Sequence, residues 1–189
     1  QYVNYPYFAE EVRRKLMELY GEKGLYEGGL IAHTSMIPAY QKTAEKALRN
    51  GLVAYDNRFG LHSTAVAHIS TAGQWQEALG KVEKPLGAGD FEMGVILETG
   101  DKKVTVGFFN GQKGTIPFEK MRWALKKGET KVSDLLKPGD VWLTENAGDK
   151  DPKVYWLRQI PDVQGGAIAM DPHTGRIFAV AGGFSYELR

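Results

Sequence analysis

Residues 163–183, V-Q-G-G-A-I-A-M-D-P-H-T-G-R-I-F-A-V-A-G-G, admit few folds. Two almost wholly apolar runs, 167–170 and 176–181, flank Asp171-Pro172-His173-Thr174-Gly175. Asp suits the first position of a tight turn, Pro fixes φ at the next, and Gly accepts positive φ at the end. The spacing predicts a β-hairpin. Its runs do not alternate apolar with polar residues, so burial on both faces is expected, at the centre of a layered core.

A central hairpin needs neighbours, and 189 residues allow one ordinary domain or a small domain with pieces of another. The formal net charge of +1 supplies no basic field for nucleic acid. There is no Cys, which excludes disulfides, Cys zinc sites and a cysteine nucleophile. The chain starts at Gln1 with no signal-like stretch, so an excised segment is expected. No apolar run approaches the roughly 20 residues that span a bilayer, so this piece is expected to make no membrane contact.

Residues 4–20 read as an amphipathic helix, with Phe8, Val12, Leu16 and Leu19 at helical spacing and Gly21 or Gly24 as its end. A short strand is expected at 30–34. Pro38 then opens a second helix with Ala44, Ala47, Leu48, Leu52 and Tyr55 on its apolar face and a Glu45–Arg49 pair at i,i+4. Residues 61–73 show no clear period, Trp75, Ala78 and Leu79 suggest a turn or two of helix, and 80–89 reads as a loop. Five strands follow, at 91–98, 104–109, 114–118, 141–145 and 154–160, with a short helix at 132–136 between the third and fourth. Three strands, a helical connection and two strands is the order of an OB-type barrel, and a different small β-barrel competes with that assignment. The fold class is α+β. The expected domains are a helical linker (1–26), a strand and helix (27–60), an OB-like domain (61–162) and the hairpin (163–189). The 30–34 strand and the hairpin are expected in one incomplete sheet, whose bare face and apolar edges either pair between chains or are covered by the Phe8 helix.

Chemistry-bearing residues do not assemble into a pattern. Of His33, His62, His68 and His173, only His62 and His68 are close, and their spacing fits no zinc template. Ser63 or Ser70 with His62 or His68 would be the components of a hydrolase, yet polar loop residues account for them. Asp149-Lys150-Asp151 lacks the rest of a calcium loop, and Pro152 breaks it. Gly73 to Lys81 has the wrong glycine spacing for a phosphate loop, and Gly87-Ala88-Gly89 lacks the third glycine of a dinucleotide site. No catalytic, metal or cofactor-binding residue is assigned. A single-stranded nucleic-acid-binding module is the alternative. Residues 90–160 hold 12 Lys/Arg against 11 Asp/Glu, without the basic excess such binding wants. They do offer Phe108, Phe109, Trp123, Trp142, Tyr155 and Trp156, and in a strand the adjacent rings of 108–109 and 155–156 point to opposite faces.

A strand, D-P-x-T-G, a second strand and Gly-Gly resemble the opening of the transpeptidase domain of class A, bifunctional penicillin-binding proteins. Gly28-Gly29-Leu30 through Thr34, then Pro38, Gln41, Ala44-Glu45, Ala47-Leu48, Asn50-Gly51-Leu52 and Tyr55-Asp56, are similar to the segment that enters that domain. M-R-W-A at 121–124 and L-L-K-P-G-D at 135–140 are similar to the family's OB-type insert, most like its 1A branch. One departure is Ile37 before Pro38, where relatives place a capping Asp. The resemblance implies a parent that polymerises lipid-linked disaccharide and cross-links peptides through a penicillin-sensitive serine. It also implies periplasmic work and anchoring by one N-terminal transmembrane helix. No Ser-x-x-Lys, Ser-x-Asn, Lys-Thr-Gly, Lys-Ser-Gly or Glu-Asp-x-x-Phe occurs here, and family order puts the Ser-x-x-Lys shortly beyond Arg189. The expected part is therefore non-catalytic. It would space and orient domains and dock regulators, its partners being the parent's remaining glycosyltransferase and transpeptidase domains and an outer-membrane lipoprotein activator.

Overall fold

The computed structural model describes residues 5–125, 132–148 and 150–188. In chain order the elements are α1 (Pro6–Glu27), α2 (Pro38–Asp56), β1 (Ala67–His68), α3 (Trp75–Gly80), β2 (Glu92–Thr99), β3 (Lys103–Gly107), β4 (Lys113–Pro117), β5 (Asp140–Asn146), β6 (Tyr155–Arg158), β7 (Gly166–Met170) and β8 (Ile177–Gly182). Short 3-10 turns lie at Asn57–Phe59, Phe118–Lys120, Arg122–Ala124, Val132–Asp134 and Tyr186–Leu188. The chain forms two compact units, Gln1–Val53 with Val163–Arg189, and Ala54–Asp162.

In the first unit, Pro6 sits in the opening turn of α1, where its missing N–H costs nothing. The first helical run breaks at Gly21, one of the two expected ends, where φ is 69° and non-helical, and the chain then resumes helical geometry to Glu27. Phe8 is buried, and α1 lies along β8. The helix also carries exposed i,i+3 pairs such as Lys15–Glu18 at 2.9 Å, which contribute little in water.

The hairpin forms as expected, with Ala167 opposite Ala181 and Ile168 opposite Val180. Asp171 closes its turn. The side-chain Oδ1 accepts from the backbone N–H of His173 (2.8 Å) and of Thr174 (3.2 Å), while the Gly175 N–H donates to the Asp171 carbonyl. Gly175 has φ of 71°, the left-handed region a side chain would resist. These amide donors favour the ionised carboxylate and hold Asp171 below its ordinary range.

Two expectations fail here. The hairpin is not buried on both faces: Ile168 is 66% and Met170 56% exposed, and only β8 is buried on one side, at Ala179 and Ala181. Residues 30–34 form no strand, and Ile31 is 84% exposed. The reason is visible along the outer edge of β8. Ser35 Oγ donates to the Ile177 carbonyl, the Ile37 N–H to the Phe178 carbonyl, and the Gln41 side chain grips Val180. An irregular segment and a side-chain amide thus take the hydrogen bonds a strand would have used.

The second unit is one antiparallel sheet in the order β1-β5-β2-β3-β4, with β6 also paired to β5. All five strands expected from alternation are present, and the two-residue β1 is an addition, pairing Ala67 with Val141. β4 meets the chain just before β6 at one parallel bridge, Thr115–Val154, supported by the Thr115 N–H donating to the Lys153 carbonyl. Gly114 permits that approach: a Cβ there would lie 2.5 Å from the Tyr155 ring and 2.9 Å from the Lys153 carbonyl.

β2 is buried on both faces. Ile96 joins the main core with Val104, Val106, Ile116, Met121, Leu136 and Leu157, all fully buried. On the other face Met93, Val95 and Leu97 pack with Trp75 and Leu79 of α3. The periodicity at 91–98 therefore marked the face under α3, and the strand's second buried face came from sheet curvature. A bulge between Ile96 and Glu98 in the pairing with β3 adds to that curvature.

Candidate functional site

Two features of the second unit stand out, one polar and one apolar. The polar one is a clasp joining the two ends of the unit. Asp56 and Gln159 are both buried, each 3% exposed. Gln159 Nε2 donates to Asp56 Oδ2 (2.8 Å) and to the Gly60 carbonyl (3.1 Å), and its Oε1 accepts from the backbone N–H groups of His62 and Ser63. Asp56 Oδ1 also accepts from the Asp162 N–H at 3.2 Å. The His62 imidazole lies between carboxylates, with Nε2 3.0 Å from Asp56 and Nδ1 3.3 Å from Asp162. Every polar atom of Gln159 is thus used, as a buried amide requires. Beside the clasp is a cavity of about 530 Å³ lined by His62, Ser63, Arg158, Gln159, Asp162 and the indole of Trp142. Arg158 Nε donates to Glu145 at 2.7 Å.

The apolar feature is a groove of about 430 Å³ between α3 and the β3–β4 turn, lined by Leu79, Gly80, Val82, Met93, Phe108 and Phe109. The Phe109 ring lies directly over Gly80, where a Cβ would come within 2.5 Å of it, and the outer side of that ring faces water with the residue 67% exposed. Leu86, in the segment after α3, is 75% exposed.

Of the residues weighed as nucleophiles and bases, His62 and Ser63 line the same cavity. His62 faces Asp56 and Asp162, and His68 Nδ1 contacts Asp140 at 2.8 Å. Ser70 Oγ accepts from the Ala72 N–H, closing a local turn. His173 lies in the hairpin turn. Asp149 lies outside the described residues, and Asp151 Oδ1 accepts from the Lys153 N–H. Among the described residues no three His, Asp or Glu side chains are grouped as metal ligands would be. Of the six rings considered for base stacking, Phe108, Trp142 and Tyr155 are buried and Trp123 is half-buried. Trp156 has Lys120 at 4.3 Å and Arg158 at 4.9 Å from its ring centroid. Phe109 alone presents an open face.

The clasp went unnoticed in sequence, although a signal existed. Tyr155, Leu157 and Gln159 share one face by strand alternation, and a glutamine there is a polar residue at an inward position. Gln41 carries the same signal on the apolar stripe of α2.

Residues 63–163 match the family described as the penicillin-binding protein OB-like domain, and the chain belongs to that family. Its relatives point to one branch. Penicillin-binding protein 1A of Rickettsia typhi is 36% identical over 182 residues, covering 96% of this chain and 22% of its own length. The Escherichia coli protein of the same name is 28% identical over 194 residues, again covering 96% of this chain and 22% of itself. The crystal structure of penicillin-binding protein 1A from Haemophilus influenzae superposes with a TM-score of 0.69 at 26% identity, over 97% of this chain and 26% of that one. The chain thus spans about a fifth of the length of the curated relatives it matches. None of its described helices is long and apolar enough to cross a membrane.

Proposed function

We propose that this chain is the non-catalytic OB-like region of a peptidoglycan synthase, with the flanking first elements of its transpeptidase domain. The parent would be a periplasmic enzyme, anchored in the inner membrane, that polymerises glycan strands and cross-links their peptides. The observation that carries the reading is the build of the second unit. It is a contiguous β-rich insert at Ala54–Asp162, interrupting a first unit made from both ends of the chain, and the clasp fastens its own two ends together. Such an insert adds a surface without breaking its host. The groove with Phe109 is the surface we assign to docking, and an outer-membrane lipoprotein activator is the partner. The pairing order of the sheet supports an OB-type barrel left partly open.

Two measurements test this. Fluorescent penicillin is expected to leave the chain unlabelled, and covalent label on any serine would overturn the non-catalytic reading. In surface plasmon resonance, a cognate activator should bind the chain, with Phe109→Ser weakening it at least about tenfold, the loss typical of an interface anchor. Equal binding of the variant would remove the groove from the interface.

A further inference from the structure

We propose that His62 is a proton-operated latch at the clasped end of the second unit. The argument is one of donor counting. Carboxylates only accept, whereas a neutral imidazole carries one N–H and an imidazolium two. His62 faces a carboxylate on each ring nitrogen, Asp56 at 3.0 Å and Asp162 at 3.3 Å. Only protonated His62 carries an N–H toward both carboxylates and holds the Asp162 side chain beside that of Asp56, whereas the bond from the Asp162 backbone N–H to Asp56 is made whatever the charge of the ring. The neutral ring leaves one nitrogen lone pair facing a negative oxygen.

Which contact opens follows from burial. The Asp56 side chain is 4% exposed and is also held by the Gln159 amide and the Asp162 N–H. The Asp162 side chain is 80% exposed and can turn into water at little cost. Loss of the proton therefore keeps Nε2–H on Asp56, frees Nδ1, and lets the Asp162 carboxylate swing away. The imidazole is itself 29% exposed, so solvent protons reach it. Asp56 faces it from the end of α2 and Asp162 from the segment after β6. Arg158 of β6, a cation lining the same cavity, is engaged with Glu145. The sign is fixed: the latch is closed on the acid side and opens as pH rises.

The test is nitrogen NMR on the whole chain with labelled histidine. On raising the pH, His62 should lose its Nδ1 proton and keep its Nε2 proton. The backbone amide resonances of residues 160–163 should shift with the same midpoint, while those of β2 and β3 stay still. His68, exposed beside Asp140, serves as internal control: its titration should leave 160–163 unmoved. In Asp162→Asn the coupling should vanish with the fold retained, and in His62→Gln residues 160–163 should lose their pH dependence. A neutral ring protonated on Nδ1, or amides at 160–163 that ignore the titration of His62, would overturn the proposal. Both readouts come from the wild-type chain, so failure of a variant to fold leaves the test intact.

Discussion

At the scale of single residues, buried amides and carboxylates organise both units by standing in for backbone. Gln41 is fully buried; its Nε2 donates to the Val180 carbonyl (2.6 Å) and its Oε1 accepts from the Val180 N–H (2.8 Å), as a neighbouring strand would. Replacement by Leu leaves both groups of Val180 unpaired, and each such group costs about 1–3 kcal/mol. Gln41→Leu is therefore expected to lower stability by several kcal/mol in urea denaturation and to raise hydrogen exchange at Val180. Asp56→Ala should release the amides of Gln159 and Asp162 together, and exchange at Asp162 reads that directly. Asp171 predicts a pH effect on the stability of the hairpin turn. Its folded carboxyl is depressed by the His173 and Thr174 donors, so the turn's stabilisation is present above the ordinary carboxylate range and is lost as acid protonates it. Comparison of wild type with Asp171→Ala in acid titration followed by circular dichroism should show the difference between them shrinking as pH falls.

At the scale of elements, burial follows partners more than composition. β7 and β8 are equally apolar in sequence, but only β8 is covered. Because the Val180 N–H and carbonyl point to Gln41, away from β7, the residue opposite it, Ile168, turns its own N–H and carbonyl to the open side of β7. That edge, with Ile168 and Met170 exposed beside it, is expected to pair with a second copy of the chain. Sedimentation equilibrium should show concentration-dependent dimers that Ile168→Lys abolishes; a monomer at all concentrations would remove the expectation. In the second unit Ile116 is fully buried in the main core, and Ile116→Ala should cost about 2–5 kcal/mol, read from the denaturation midpoint.

At the scale of the whole molecule, strand alternation made the insert's strands legible from sequence alone, because a half-buried sheet writes its inward face into every second residue. Alternation also put the adjacent rings of 108–109 and of 155–156 on opposite faces of their strands; Phe108 and Tyr155 are buried 4.5 Å apart, and Phe109 is exposed. The turn at 171–175 was equally legible, since Asp, Pro and Gly each act within a few bonds of themselves. The clasp was not, because Asp56 and Gln159 are 103 residues apart and a buried amide is a fact about surroundings. The same limit explains residues 30–34, which read as a strand until the edge they needed was taken by Gln41. Burial of the hairpin on both faces was a claim about neighbours, which is where local pattern ends. What the sequence by itself determined is each segment's own preference: which residues turn, which alternate, which carry no catalytic pattern. Only the tertiary structure decided which apolar faces are covered, which polar side chains close a sheet edge or fasten the two ends of the insert, and where a histidine is held between two carboxylates. Those outcomes depend on contacts made across the chain, whose free energy no local stretch contains.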